Sequence, residues 1–243
     1  MTGTTCFLAE LMGTAILILL GNGVVANVLL EKSGMKGGGS VQITFAWGFA
    51  VLLPAFIFGT TTGAHFNPAL TIALAADGSL APRLAGCYIA GQMLGGMLGA
   101  FLVWALYCKH FAATSDGATK RACFCTAPSI PCVPCNFLAE ALGTFVLVFA
   151  IKGIAQIQEL ADGLKYPFVF AIIVSIGMSL GGLTGYAINP ARDLSPRIVY
   201  ALLPMSNKAP ANWRYAWVPV LGPLVGALAA VGLYKVFPWP VSP

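Results

Sequence analysis

The sequence predicts an all-α membrane protein with six spanning helices and two short helices that enter the bilayer without crossing it. Three observations carry this. Long uncharged runs recur along the chain. Only 9% of its 243 residues are charged, against about 25% in a soluble domain. The motif Asn-Pro-Ala occurs twice, at Asn67-Pro68-Ala69 and Asn189-Pro190-Ala191, each time breaking an apolar stretch a few residues after a Thr-Gly pair.

A span needs about 20 apolar residues to cross a hydrocarbon core of about 30 Å. Uncharged runs of that order stand at Leu11–Leu30, Val41–Ala64, Leu84–Cys108, Tyr166–Ala191 and Tyr215–Tyr234. A weaker sixth, Cys132–Ile151, contains Glu140 and is followed by Lys152. Met1 to Thr5 hold no basic residue, so the first run reads as a retained span rather than a cleaved leader. Two apolar pieces remain, Pro68–Ala76 and Pro190–Ala201. The first would be roughly 14 Å long at about 1.5 Å per residue, too short to cross. Asn is a favoured N-cap and Pro suits the first helical position, so each Asn-Pro-Ala starts a half-helix.

The chain repeats. Phe7-Leu8-Ala9-Glu10 with Gly13-Thr14 recurs as Phe137-Leu138-Ala139-Glu140 with Gly143-Thr144, and one Asn-Pro-Ala follows in each half. Three spans per half is odd, so the second half enters from the opposite side. The reading is one channel domain over 1–243, built of inverted repeats at about 6–107 and 136–236 joined by the cysteine-containing stretch 108–135. Such repeats place their site at the midplane, where broken helices meet.

Glu10 and Glu140 are carboxylates inside spans, where charge is costly. They are either a proton or cation site, or acceptors for the non-helical backbone leading into each half-helix. Their repetition in both halves favours the second. Gly91, Gly95 and Gly99, and Gly222 with Gly226, have the four-residue spacing of close helix packing in lipid. In the linking stretch, Cys123, Cys125, Cys132 and Cys135 fit three readings: a zinc site, disulfides or ordinary thiols. The net charge of +5 is spread over loops, which excludes a nucleic-acid-binding stripe. Apart from Arg192 and Arg197, seven Lys and Arg follow the side reached after the first span and four lie on the other. By the positive-inside rule this puts the N-terminus outside.

Two half-helix N-termini that face each other each carry roughly half a positive charge. Cations are repelled there and protons hindered. Asn67 and Asn189 keep side-chain donors for a neutral solute, and the carbonyls of Gly63, Ala64, His65, Phe66, Tyr186, Ala187 and Ile188 supply acceptors. Arg192 breaks a local rule, since a cation in the first turn opposes the helix dipole. Local rules fail most often at functional sites, so Arg192 is the expected selectivity residue. Asp193 suits its position and is expected to anchor the half-helix. Arg197 is assigned only loop or headgroup contact. His65 is either structural or pore-lining.

With these residues in hand, the chain resembles the aquaporin (major intrinsic protein) family. The resemblance rests on the two Asn-Pro-Ala motifs, the repeat with its glutamates, and Arg192, and it covers nearly the whole chain. It implies six tilted spans, two half-helices, a homotetramer with one pore per protomer, a multi-pass place in the cell membrane, and a cytoplasmic N-terminus, against the charge count. Within the family the chain is similar to the glycerol facilitators (aquaglyceroporins), through Asp193, Pro196, Arg197 and Pro219. That resemblance implies a narrowest region at Trp47, Gly177, Tyr186 and Arg192. Gly177 would leave room that a His fills in a water channel. Trp47 and Tyr186 would face a polyol's carbons while Arg192 holds its hydroxyls. The facilitators usually carry Phe where Tyr186 stands. The implied activity is passive diffusion of glycerol and related neutral solutes with some water, without a cofactor or resident metal. The rivals are a water-selective channel and an ion-coupled transporter, which would need Glu10, Glu140 or Asp193. No nucleophile–base pair suggests an enzyme, since Ser195 has no His partner in the sequence.

Overall fold

The computed structural model describes residues 2–157, 160–161 and 163–239. Among them it contains nine helices and no strand. Six are long and apolar enough to cross a membrane: α1 (Gly3–Leu29), α2 (Gly39–Thr62), α4 (Pro82–Ala113), α6 (Val133–Ile154), α7 (Lys165–Thr184) and α9 (Val218–Val236). Two are the half-helices, α3 (Pro68–Ala76) and α8 (Pro190–Leu202). The remaining one, α5 (Gly117–Ala122), is a short helix in the linking stretch that the sequence reading did not foresee. Asp116 caps it, accepting from the Thr119 hydroxyl and from the N–H groups of Thr119 and Ala118. These bonds hold the Asp116 carboxyl below the usual carboxylate range.

Helix ends depart from the uncharged runs for local reasons. α1 starts near the N-terminus because the Thr2 hydroxyl accepts from the Thr5 N–H. α7 stops at Thr184 rather than running on to Ala191, because Gly185 turns left-handed at φ 83°. Gly63 ends α2 the same way at φ 80°. A left-handed residue closes a helix, and glycine adopts it without steric cost.

Lipid gives helices no hydrophobic reason to associate, so close packing must hold them together. The glycine rows do this. A β-carbon at Gly91, Gly95 or Gly99 of α4 would lie 2.5, 2.2 or 2.5 Å from the carbonyl oxygens of Phe7, Leu11 and Ala15 of α1. In the second half, one at Gly226 of α9 would lie 2.0 Å from the Ala141 oxygen of α6. The half-helices interlock the halves: both α3 and α8 pack on α4 and α9, and they touch each other. Large apolar side chains such as Phe49, Phe56, Leu98, Phe101, Leu142 and Leu228 stay exposed on the outside, as a lipid-facing surface requires.

Candidate functional site: a pore junction and its constriction

The site is built where two short helices begin. Asn67 is the extended N-cap of α3, and its Oδ1 accepts from the Ala69 N–H at 2.9 Å. Asn189 caps α8 likewise, accepting from Ala191 at 2.9 Å and Arg192 at 3.3 Å. Each amide also crosses to the other half. Asn67 Nδ2 donates to the Ile188 carbonyl at 2.8 Å, and Asn189 Nδ2 donates to the Phe66 carbonyl at 2.7 Å. The Phe66 and Ile188 carbonyls, expected to serve solute, each accept one of these crossing bonds. Each amide retains one N–H, since an NH₂ group has two donors.

The backbone entering each half-helix is strained. Ala64 and Phe66 have φ of 56° and 48°, and Tyr186 and Ile188 have 37° and 44°. Such residues cost about 1–3 kcal/mol each and persist only where the surroundings enforce them. The glutamates enforce them. Glu10 accepts from the Thr62 hydroxyl at 2.7 Å, from the N–H groups of His65 and Phe66 at 3.2 and 2.8 Å, and from Gln92 at 2.7 Å. Glu140 accepts from the Thr184 hydroxyl at 2.6 Å and from the N–H groups of Ala187 and Ile188 at 3.0 and 2.8 Å. Bonds to a charged acceptor contribute about 1.5–3 kcal/mol each, enough to offset the strain. Both carboxylates are fully buried and neither lines either of the two cavities along the passage, which leaves the proton- or cation-site reading without a group open to the passage.

With those N–H groups turned to glutamate, the carbonyls of Gly63, Ala64, His65, Tyr186 and Ala187 have no protein donor among the described residues. All five residues line a cavity of about 470 Å³, with Asn67, Asn189, Trp47 and Arg192. A second cavity of about 320 Å³ lies at the other mouth. Trp47, Tyr186 and Arg192 line both, so the passage narrows where these three side chains meet. The Arg192 guanidinium lies 3.9 Å from the centre of the Trp47 ring, a cation–π contact that holds it in place. Among the described residues it forms no ion pair. The Trp47 indole N–H and the Tyr186 hydroxyl are buried without partners. Fixed donors thus sit beside apolar ring surfaces where the passage narrows.

Gly177 lines only the second cavity. The room beside it is not open: a β-carbon there would lie 2.6 Å from Thr44 Cγ2 and 2.9 Å from the Tyr186 ring. Gly177 lets Tyr186 lean against α7. His65 is half-buried and lines the larger cavity, with Nδ1 3.1 Å from the Thr71 hydroxyl and its ring 4.8 Å from that of Tyr88.

Arg197 requires a correction. It is fully buried, so the loop contact holds and the headgroup contact does not. Its guanidinium pairs with Asp193 Oδ1 at 2.7 Å and donates to the carbonyls of Ala211, Asn212 and Thr126. The other oxygen of Asp193 accepts from the N–H and hydroxyl of Thr126, both at 2.7 Å. Asp193 and Arg197 thus tie α8 to the two loops around the mouth. Their i, i+4 spacing was the signal available in the sequence. Thr44, Gln92, Thr126 and Lys208 were also missed. Lys208 donates to the carbonyls of Tyr200, Ala201 and Leu203 at the end of α8.

The zinc reading of the linking stretch does not hold. Cys132 and Cys135 are joined as a disulfide, while Cys123 and Cys125 are buried free thiols.

Six spans, two facing half-helices and a cavity lined by both of their entries define a multi-pass membrane channel. Comparison with known proteins is consistent with this. The chain matches the major intrinsic protein family over residues 2–234, and it belongs to that family. It is 46% identical over 229 residues to the probable glycerol uptake facilitator protein of Thermotoga maritima, covering 94% of this chain and 97% of that one. It is 48% identical over 222 residues to the glycerol uptake facilitator protein of Bacillus subtilis, covering 91% and 81%. Among solved structures, the aquaglyceroporin from Plasmodium falciparum superposes with a TM-score of 0.86 at 28% identity, covering 97% and 96% of the two chains.

Proposed function

We propose that this protein is a passive channel for glycerol and related small uncharged solutes, with some water, that excludes ions and protons. The observation that carries the reading is the Arg192 guanidinium on the Trp47 face, with Tyr186 completing the constriction. A polyol has carbons on one edge and hydroxyls on the other. The rings take the carbons; Arg192 and the carbonyls at 63–65, 186 and 187 take the hydroxyls. Asn67 and Asn189, with Pro68, Ala69, Pro190 and Ala191 behind them, form the junction where the positive helix ends repel cations. Glu10, Glu140 and Asp193 hold the lining in shape. Trp47, Gly177, Tyr186 and Arg192 set selectivity. The names of the relatives support the solute class. In this reading the domain is two inverted repeats, and protomers assemble as a homotetramer in the lipid bilayer with a pore through each.

The test is stopped-flow light scattering of vesicles that hold the purified protein, mixed into hypertonic glycerol. Rapid shrinkage followed by fast reswelling is expected. Shrinkage by water loss, with reswelling no faster than in empty vesicles, would replace this reading with that of a water-selective channel.

A further inference from the structure

The permeation path leaves the Cys132–Cys135 pair unused. Cys132 is the N-cap of α6 and Cys135 lies in its first turn, with Cα atoms 5.3 Å apart. Cys135 is exposed and Cys132 half-buried, so an external thiol can reach the bond through Cys135. The bond closes a ring of only a few residues. Cross-links constrain the unfolded chain less as the loop shortens, so this one adds little as a staple. Asn136 shares the start of α6 with it: its side chain accepts from the Cys132 N–H at 2.9 Å and donates to the Ile130 carbonyl at 3.3 Å.

What distinguishes the pair is its place in the chain. Between Thr126 and Cys132 lie five residues, two of them Pro128 and Pro131. Proline fixes φ, so this connector is stiff. At one end Thr126 holds Asp193, the neighbour of Arg192. In the middle Ser129 donates to the Leu183 carbonyl of α7 through its N–H at 3.0 Å and its hydroxyl at 3.2 Å. Thr126 and Ala127 line the mouth cavity itself. The disulfide is thus the far anchor of a stiff segment that ends at the constriction.

We infer that Cys132–Cys135 is an exchangeable disulfide, a redox site on the rim of the mouth open to low-molecular-weight thiols, whose state sets how tightly residues 126–132 are held against the constriction. An incoming thiolate attacks Cys135 Sγ and the bond to Cys132 breaks. The electron pair leaves on Cys132 Sγ, which takes a proton from water. An N-cap thiolate is stabilised by the amides of the first helical turn, and here Pro134 leaves the Cys135 N–H as the available donor. A second thiol then attacks the mixed disulfide at the sulfur of the bound thiol and frees Cys135. Two thiols are oxidised to one disulfide, and the protein gains two thiols.

The experiment uses the full chain in vesicles, treated with reduced glutathione, alkylated and mapped by mass spectrometry. Cys132 and Cys135 should resist alkylation before treatment and both accept it afterwards. In Cys132→Ser, oxidised glutathione should load Cys135. In the wild type, reduction should raise the flux of ribitol relative to glycerol by about twofold, and Cys132→Ser should sit at the raised ratio whatever the redox state. Alkylation of both cysteines before reduction, or a bond that glutathione leaves intact, would overturn the exchange. An unchanged flux ratio would overturn the coupling to the mouth. The alkylation readout does not depend on which solute permeates, so it separates this inference from the proposed glycerol activity.

Discussion

The two halves of the pore are nearly the same in backbone and unlike in chemistry. In the first, Glu10 gathers Thr62, His65 and Phe66; in the second, Glu140 gathers Thr184, Ala187 and Ile188. Each Asn cap reaches across to the other half's carbonyl. Three residues beyond the caps the halves diverge. Leu70 occupies the position that Arg192 has in the second half, and Thr71 the position of Asp193. Thr71 is served by Gln92 and His65, whereas Asp193 binds Thr126 and Arg197. The lesson is that both halves hold their bent backbone with a carboxylate, while only the second adds a charged side chain at the narrowing.

The strongest break of this comparison is Glu10→Gln or Glu140→Gln. Either points an amide nitrogen at a row of donors and should cost about 3 kcal/mol or more. Both should sharply lower the yield of folded protein in mild detergent, to a similar extent. If only one did, the structural equivalence of the halves would fail. Next comes Asp193→Asn, which leaves Arg197 buried without its charge partner. It should cost about 3–5 kcal/mol, against about 1 kcal/mol for Thr71→Val; thermal unfolding in detergent compares the two. Arg192→Val should lower glycerol flux, by removing a hydroxyl donor at the constriction, and raise proton leak by about tenfold, or ~1.4 kcal/mol, whereas Leu70→Val should change neither. A pH-sensitive dye inside vesicles reads the difference. Gly177→His should suppress glycerol more than water, by pushing Tyr186 off α7 into the passage; equal loss of both would move the constriction elsewhere.

The smallest effect lies at the far end of α3. Burial pushes the Asp77 carboxyl up, but bonds from Lys152 and Ser79 outweigh it and hold it below the usual range. A lowered carboxylate contributes stability above its unfolded value and loses it as pH falls through the folded one. Asp77→Asn should therefore slightly lower thermal stability at neutral pH and make no difference under strongly acidic conditions. The α8 end, where Lys208 binds carbonyls rather than a carboxylate, should show no such acid dependence.

How much of this could be read beforehand follows the range of each signal. Asn67-Pro68 and Asn189-Pro190 act on their own first turns, so the half-helices were legible from the motif alone. The glycine rows and the repeated glutamates were legible because a period or a copy marks them. Arg197 was missed although its i, i+4 spacing from Asp193 is local. Thr126 and Gln92 were not legible, since each acts on residues far along the chain. Gly177 was misread for the same reason: its missing side chain suggested space, but the rings and methyls that fill it come from α2 and the loop after α7. The six-residue α5 is too short and polar to stand out by periodicity.

The central claim is that two positive helix ends meet around a wet passage open to neutral solutes and closed to charged ones. Its most direct test measures glycerol reswelling and proton leak on the same protein-containing vesicles. Fast reswelling with a proton gradient that lasts as long as in empty vesicles is the predicted result. A gradient that collapses at a rate comparable to glycerol entry would contradict it.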